Sequence, residues 1–342
     1  MAERVLTPRE LNRALLARQL LLERARTPIP KALERIGGIQ AQYAPSMYIG
    51  LWSRLEGFER AALTRALERR TVVQGTLMRT TIHLVSKADY WPFAVGIRGR
   101  RADRARVYKV SEREFERAAA KVRAYLAREP RRHRELRNDL GSDIWRPGVG
   151  LWVDMVRVPP SGTWESRRAD LYGLAEHWVG PEEATPEAGV EHLVRRYLQG
   201  FGPARADDIA DWAGLKTTAI RPVLERLELR RFRDEEGKEL LDLPRAPLPA
   251  PDTPAPPRFL PVWDATLLVH ARRTQILPEE YRPLVFNVKT PHSVNTFLVD
   301  GLVAGTWKHE GGKVRLEPFE GVPRKAKRAL DDEARRLAAF HL

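Results

Sequence analysis

A helix-rich α+β fold is predicted by three observations: an order of short helices and a hairpin that recurs along the chain, a proline-dense stretch that sets off a β-rich tail, and a length of 342 residues that exceeds one ordinary core. Helix, turn, helix and hairpin is the order of a winged helix. The organisation expected is therefore tandem winged-helix domains followed by a C-terminal β-rich, barrel-like domain. The expected divisions are winged helices over residues 1–105, 106–182 and 183–245, a linker over 246–258, and the C-terminal domain with its terminal helix over 259–342.

The first helix is announced by Thr7-Pro8-Arg9-Glu10, an N-cap threonine with proline at the first helical position and glutamate at the third. Pro28 and Pro30 end it, a short helix from Lys31 to Ile36 stops at Gly37-Gly38, and an apolar segment runs from Tyr48 to Leu55. Leu63 to Glu68 reads as a helix, and Val72 to Val85 as a hairpin. Ser111-Glu112-Arg113-Glu114 opens the second unit with another capping box. His133 to Leu140 follows as a helix, Leu151 to Val158 as a strand, and Pro159-Pro160-Ser161-Gly162 as a wing tip. The third unit pairs helices over Ala206 to Trp212 and Lys216 to Leu227 with a hairpin turning at Asp234-Glu235-Glu236-Gly237. Past seven prolines between Pro244 and Pro257, strands are expected around a two-residue turn at Asp300-Gly301, closed by a basic helix from Arg324 to Phe340.

Composition narrows the function. Lys and Arg exceed Asp and Glu by 14, an excess that favours a polyanionic partner, and double-stranded DNA is the partner expected. The absence of cysteine excludes disulfides, thiolate zinc sites and cysteine nucleophiles. No secretory signal and no membrane-length apolar run is visible, so a cytoplasmic protein, taken as a monomer, is expected. Neither a Walker A loop nor a dinucleotide-binding glycine fingerprint occurs, and the eight histidines include no pair at metal-binding spacing. No cofactor and no metal is expected. Glu236-Gly237-Lys238 echoes the end of a nuclease motif but sits at a hairpin tip.

One short motif, Gln40-Ala41-Gln42, follows Gly37-Gly38. The stretch from Gly37 to Pro45, followed by Leu51-Trp52-Ser53-Arg54-Leu55, resembles the AlkZ-like winged-helix DNA glycosylases. Arg79-Thr80-Thr81-Ile82-His83-Leu84 resembles that family's Arg-Gly-Thr-Leu-His-Leu stretch, with Thr80 where glycine is usual. Arg157 to Trp164 is similar to its second wing, and Phe201 to Leu215 to its third helix-turn-helix. Leu260 to Asp264 and Val299 to Trp307 resemble its C-terminal domain. The resemblance implies tandem winged helices around a DNA channel, removal of alkylated purines including those in interstrand crosslinks, and catalysis by the glutamines matched here by Gln40 and Gln42.

The chemistry is consistent on its own terms. An amide is no general base near neutral pH, yet it donates and accepts hydrogen bonds and so can hold a water. That suffices only where the leaving group is already good, as is a purine made cationic by alkylation at N7 or N3. On a helix, residues two apart point about 200° from each other, so the two amides converge only if the segment is extended or turned. Arg79 and His83 alternate along a strand and share a face: either they bind DNA beside the glutamines in an open, basic groove, touching phosphate or a water, or they form a satisfied surface pair. Trp164 either inserts into a groove or packs. Arg272 and Arg273 are candidate phosphate contacts. Lys216 to Arg226 is either a recognition helix or scaffold, and the basic face at Arg324, Lys325, Lys327 and Arg328 either meets phosphate or is simply solvated. The alternative function is a winged-helix DNA-binding protein or transcription regulator without catalysis.

Overall fold

The computed structural model describes residues 3–268, 273–287 and 292–342. The chain opens with β1 (Val5–Leu6) and α1 (Pro8–Arg18), where Thr7 and Glu10 cap each other reciprocally as expected. Helix α2 (Ile29–Ile36) ends at Gly37. Gly37 and Gly38 both take left-handed φ, +80° and +79°, and turn the chain into β2 (Ile39–Gln40). Helices α3 (Ala44–Arg54) and α4 (Arg60–Glu68) precede the hairpin β3 (Val72–Thr76) and β4 (Ile82–Ser86). Two helices then appear that periodicity did not suggest, α5 (Lys87–Gly96) and α6 (Arg101–Tyr108). In α5 the residues Asp89, Tyr90, Trp91 and Phe93 to Gly96 are buried, so it lacks the polar face that would have marked it as amphipathic.

The second stretch holds α7 (Glu112–Leu126), β5 (Arg131–Arg132), α8 (His133–Leu140), β6 (Met155–Arg157), β7 (Leu171–Leu174) and α9 (Ala175–Trp178). The strand expected from Leu151 shrinks to Met155–Arg157, because Val149–Leu151 forms a 3-10 turn after left-handed Gly148. The third holds α10 (Pro186–Phe201), α11 (Ala206–Ala213), α12 (Thr217–Arg226), β8 (Arg230–Asp234) and β9 (Glu239–Asp242). The tail holds β10 (Arg258–Leu260), α13 (Arg282–Val285), β11 (Phe286–Asn287), β12 (His292–Ser293), β13 (Thr296–Val299), β14 (Leu302–Glu310), β15 (Lys313–Pro318) and α14 (Arg324–His341). Asp300 and Gly301 both have positive φ, the geometry a two-residue hairpin turn requires.

Strand pairing crosses the expected boundaries. A six-stranded sheet runs β2-β4-β3-β6-β7-β5, so the first hairpin and the second wing share one sheet through β3 and β6. β1 pairs in parallel with β8, which joins the N-terminus to the third stretch. In the tail the order β10-β13-β14-β15 is an open sheet against which α14 packs; among the described residues no barrel closes, which corrects the barrel-like expectation. Helices α5 and α10 cross so closely that a Cβ on Gly96 would lie 2.7 Å from the Gly189 carbonyl group. No helix among the described residues is long and apolar enough to cross a membrane.

Buried ion pairs tie these parts together. Arg18 binds Asp242 through two hydrogen bonds of 2.7 and 3.0 Å, both side chains fully buried. Arg54 of α3 binds Asp264 through two of 2.9 Å. The proline-rich segment is pinned to α1: Arg9 donates to the Pro251 carbonyl, Arg13 to that of Thr253 and Arg18 to that of Pro247. Burial pushes the Asp264 carboxyl upward, but the Arg54 charge and hydrogen bonds, helped by Thr266, outweigh it and hold the group below its ordinary value.

Arg54→Met should leave a buried carboxylate without its cation and destabilise the protein by about 3–5 kcal/mol. Urea unfolding would measure this, and a loss under 1 kcal/mol would contradict it. Because the folded-state value of Asp264 is depressed, its stabilisation is present above the unfolded carboxylate range near 3.9 and should be lost as pH falls below it.

Candidate active site

Gln40 ends the strand β2 and Gln42 lies in the bend just past it, so the segment is not helical and the 200° separation of a helix does not apply. β2 pairs antiparallel with β4 in the register Ile39↔Leu84 and Gln40↔His83. Ile39 and Leu84 face the core, so Gln40 and His83 sit side by side on the opposite face. The ladder continues as Ala41 N–H donates to the Ile82 carbonyl at 2.7 Å. One step on, the Gln42 side chain takes the place of a backbone carbonyl: its Oε1 accepts from Ile82 N–H at 2.9 Å. Helix α3, with Pro45 in its first turn, then carries the chain away.

Arg79 reaches this pair from the β3–β4 connection. It has φ +53° and Thr80 has φ +60°, two consecutive left-handed residues that turn the Arg79 side chain inward. Its Nη2 donates to Gln40 Oε1 at 3.0 Å, and its Nη1 donates to the Trp212 carbonyl, near the end of α11, at 2.6 Å. Thr80, at the position where the resembling family has glycine, keeps the left-handed geometry at a cost of about 1–2 kcal/mol. Its hydroxyl donates to the Arg79 carbonyl at 2.5 Å and accepts from Arg104. Gly214, the left-handed cap of α11, packs here, and a Cβ on it would lie 3.2 Å from Arg79 Cα.

Electrostatics follows from burial. Desolvation, reinforced by Arg100, lowers the Arg79 guanidinium to about 10, so it stays charged at neutral pH. Desolvation, with the Arg79 charge beside it, lowers His83 to about 3, so the imidazole is neutral. His83 Nδ1 lies 3.1 Å from the Thr81 carbonyl, an acceptor, so Nδ1 carries the proton and Nε2 the lone pair. Among the described residues no carboxylate hydrogen-bonds to Gln40, Gln42, Arg79 or His83.

The structure thus gathers all four residues, but it does not leave all four open. Gln40 is 5% exposed and His83 3%, whereas Gln42 is exposed. The open floor expected for the four is therefore open mainly at Gln42, because the β2–β4 register turns Gln40 and His83 inward. Trp164 is buried, packed edge-on to Tyr48 and Phe340. Arg273 is also buried: it donates to the Ala265 and Thr266 carbonyls and to the Tyr197 hydroxyl, and lies over the Phe201 ring. Arg272 lies outside the described residues. On α12 the residues Ile220, Val223 and Leu224 face the core, while Lys216 pairs with Asp103.

Sequence reasoning missed three contributors: the Trp212 carbonyl, the Arg100–Arg104 pair, and Tyr43, an exposed aromatic whose hydroxyl accepts from Arg167 at 3.2 Å. The run Arg98-Gly99-Arg100-Arg101-Ala102-Asp103-Arg104 was a visible basic cluster. No group of three or more metal-binding side chains occurs among the described residues.

The chain belongs to the AlkZ-like DNA glycosylase family, whose model matches residues 33–340, and is a DNA glycosylase, an enzyme of DNA repair. In fold it is similar to the Streptomyces sahachiroi DNA glycosylase AlkZ, with a TM-score of 0.83 and 18% identity over 98% of this chain and 97% of that one. No curated protein matches the chain.

The depressed value of His83 has a measurable consequence. Histidine NMR should show Nδ1 protonated and no titration of His83 between pH 5 and 8, and a midpoint near 6.5 would contradict this. As pH drops from 6.5 toward 3, the unfolded chain takes up a proton that folded His83 refuses, so His83 should lower stability across that window.

Proposed function

We propose that the enzyme hydrolyses the N-glycosidic bond of purines made cationic by alkylation at N7 or N3, in double-stranded DNA, with Gln40 and Gln42 orienting the attacking water. The observation that carries this reading is the composition of the site: two amides, a neutral imidazole and a largely desolvated guanidinium, with no carboxylate among the described residues bonded to any of them. Such a set has no evident acid to protonate a leaving base and no strong base to deprotonate water. It suits a base that departs already charged. As the bond from C1′ to the purine nitrogen breaks, its electron pair passes to the purine and cancels the positive charge. The water oxygen bonds C1′, and its proton leaves to solvent, since neither amide is basic enough to retain it.

Binding fits the same picture. The excess of 14 positive charges favours phosphate contacts; Arg168, Arg106 and Lys216 are exposed, and their ion pairs with Asp170 and Asp103 are of the weak, solvent-screened kind that a phosphate can replace. Three helix-and-hairpin stretches support a tandem winged-helix reading in which the wings and helix ends line the duplex. A channel of that kind, rather than a closed pocket, would also admit a base crosslinked to the opposite strand, which is tethered and cannot swing fully out of the stack. The partner is then alkylated or crosslinked DNA, and the acting unit one chain.

The test uses duplex DNA carrying N7-methylguanine. Gln42→Ala should lower single-turnover base release by about 100-fold or more, and Gln40→Ala should also impair it. Affinity for the same DNA should stay within about threefold, because phosphate contacts rather than the amides hold the duplex. Unchanged release in both variants would remove the pair from the mechanism. Binding should also weaken steeply with salt, and a flat dependence would exclude phosphate contacts as its source.

A further inference from the structure

We infer that Arg79 is a positioning residue that locks the Gln40 amide in one orientation, so that Gln40 presents its Nε2 donor to the site while Gln42 is left as the acceptor. This rests on the reading of the two glutamines as the catalytic amides, and it assigns them different tasks.

An arginine guanidinium carries only donors, so the Gln40 atom 3.0 Å from Arg79 Nη2 is the carbonyl oxygen. The Gln40 Nε2 group therefore points away from Arg79. Flipping the amide would set two donors against each other beside a part-buried positive charge, which a Gln40 side chain only 5% exposed cannot relieve with water. Arg79 is itself fixed: its second Nη is held by the Trp212 carbonyl, one of the terminal carbonyls of α11 that lack a helical partner. That carbonyl end is negative, which favours a cation there. The left-handed backbone at Arg79 and Thr80 aims the side chain inward, and the Arg104 bond to the Thr80 hydroxyl braces the turn.

Gln42 differs on each count. Its Oε1 accepts from a neutral backbone N–H, the side chain is exposed, and the second lone pair of the oxygen remains for a water proton. A water between the two is then held by one donated and one accepted bond, which fixes the direction of its remaining lone pair. The third stretch of the fold, through Trp212, thereby sets the geometry of a glutamine on the first.

Three variants test this. In Arg79→Met, single-turnover release of N7-methylguanine should fall by about 100-fold, with the DNA concentration for half-saturation changed by less than about threefold. Arg79→Lys should recover release to within about tenfold of the wild type, since an ammonium still donates to Gln40 Oε1. If Arg79 instead serves DNA phosphate, Arg79→Met should weaken binding and reduce its salt dependence while release from saturated complex stays normal, and that would overturn the inference. Gln40→Glu keeps the question open to test if Arg79→Met fails to fold. Its carboxylate meets Arg79 and should preserve or raise the melting temperature, yet it lacks the Nε2 donor, so release should fall as far as in Gln40→Ala. Wild-type release in Gln40→Glu would overturn the donor assignment. Side-chain amide NMR separates this from the substrate proposal. The Gln40 NH2 pair should be shifted and slow to exchange in the wild type and should move toward free-amide values in Arg79→Met, whatever base is released. An unchanged Gln40 signal would overturn the inference.

Discussion

The pairing of Gln40 with His83 across β2 and β4 is the constraint from which the site follows. A one-residue slip would send Gln40 into the apolar face occupied by Ile39 and Leu84, and would bring Ala41 to the site instead. Two features hold the register. The consecutive left-handed glycines at 37 and 38 deliver the chain to β2, and a Cβ on Gly38 would lie 3.0 Å from both the Leu84 carbonyl oxygen and Val85 Cγ1. At the other end, the Gln42 side chain closes the ladder on Ile82. The same glutamine that ends the sheet is thus placed at the surface.

A largely desolvated cation next to a neutral imidazole is a costly arrangement unless each hydrogen bond is made. Arg79 is supported by one helix-terminal carbonyl and one amide oxygen, and His83 answers the nearby charge by refusing its proton. The result is a site of fixed dipoles with its charge set back behind Gln40. Such a site is suited to holding a water for one direction of attack, and it is poorly suited to proton transfer. On the reading proposed above, its substrate range is narrowed by chemistry before shape acts.

Much of the local structure was legible. The capping boxes at Thr7 and Ser111, the stop at Gly37-Gly38, and the turns at Asp234 to Gly237 and Asp300-Gly301 are set by neighbouring residues, and each stands where its residue types indicate. Gln40 and Gln42 were found through a family pattern, and only the pairing with β4 shows what each meets: His83 beside Gln40, and Ile82 N–H bonded to Gln42. What escaped the sequence is non-local. Joining β3 to β6 merges two stretches that read as separate units. Helix α5 is buried too completely to show a period. Trp164 is drawn in by Tyr48 and Phe340, far apart in sequence, and the inward turn of Arg79 depends on positive φ at two residues that rarely adopt it.

On the proposed reading, catalysis rests on a leaving group that is already charged. The pH dependence of single-turnover release, compared between N7-methylguanine and hypoxanthine in the same duplex, tests it most directly. Hypoxanthine is uncharged and needs a proton to depart. The rate for N7-methylguanine should be flat from about pH 5.5 to 8.5, since neither Arg79 nor His83 titrates there, and hypoxanthine should not be released at any of these values. A bell-shaped profile, or hypoxanthine released at a comparable rate, would contradict it, because either result requires a general acid that this constellation of residues does not contain.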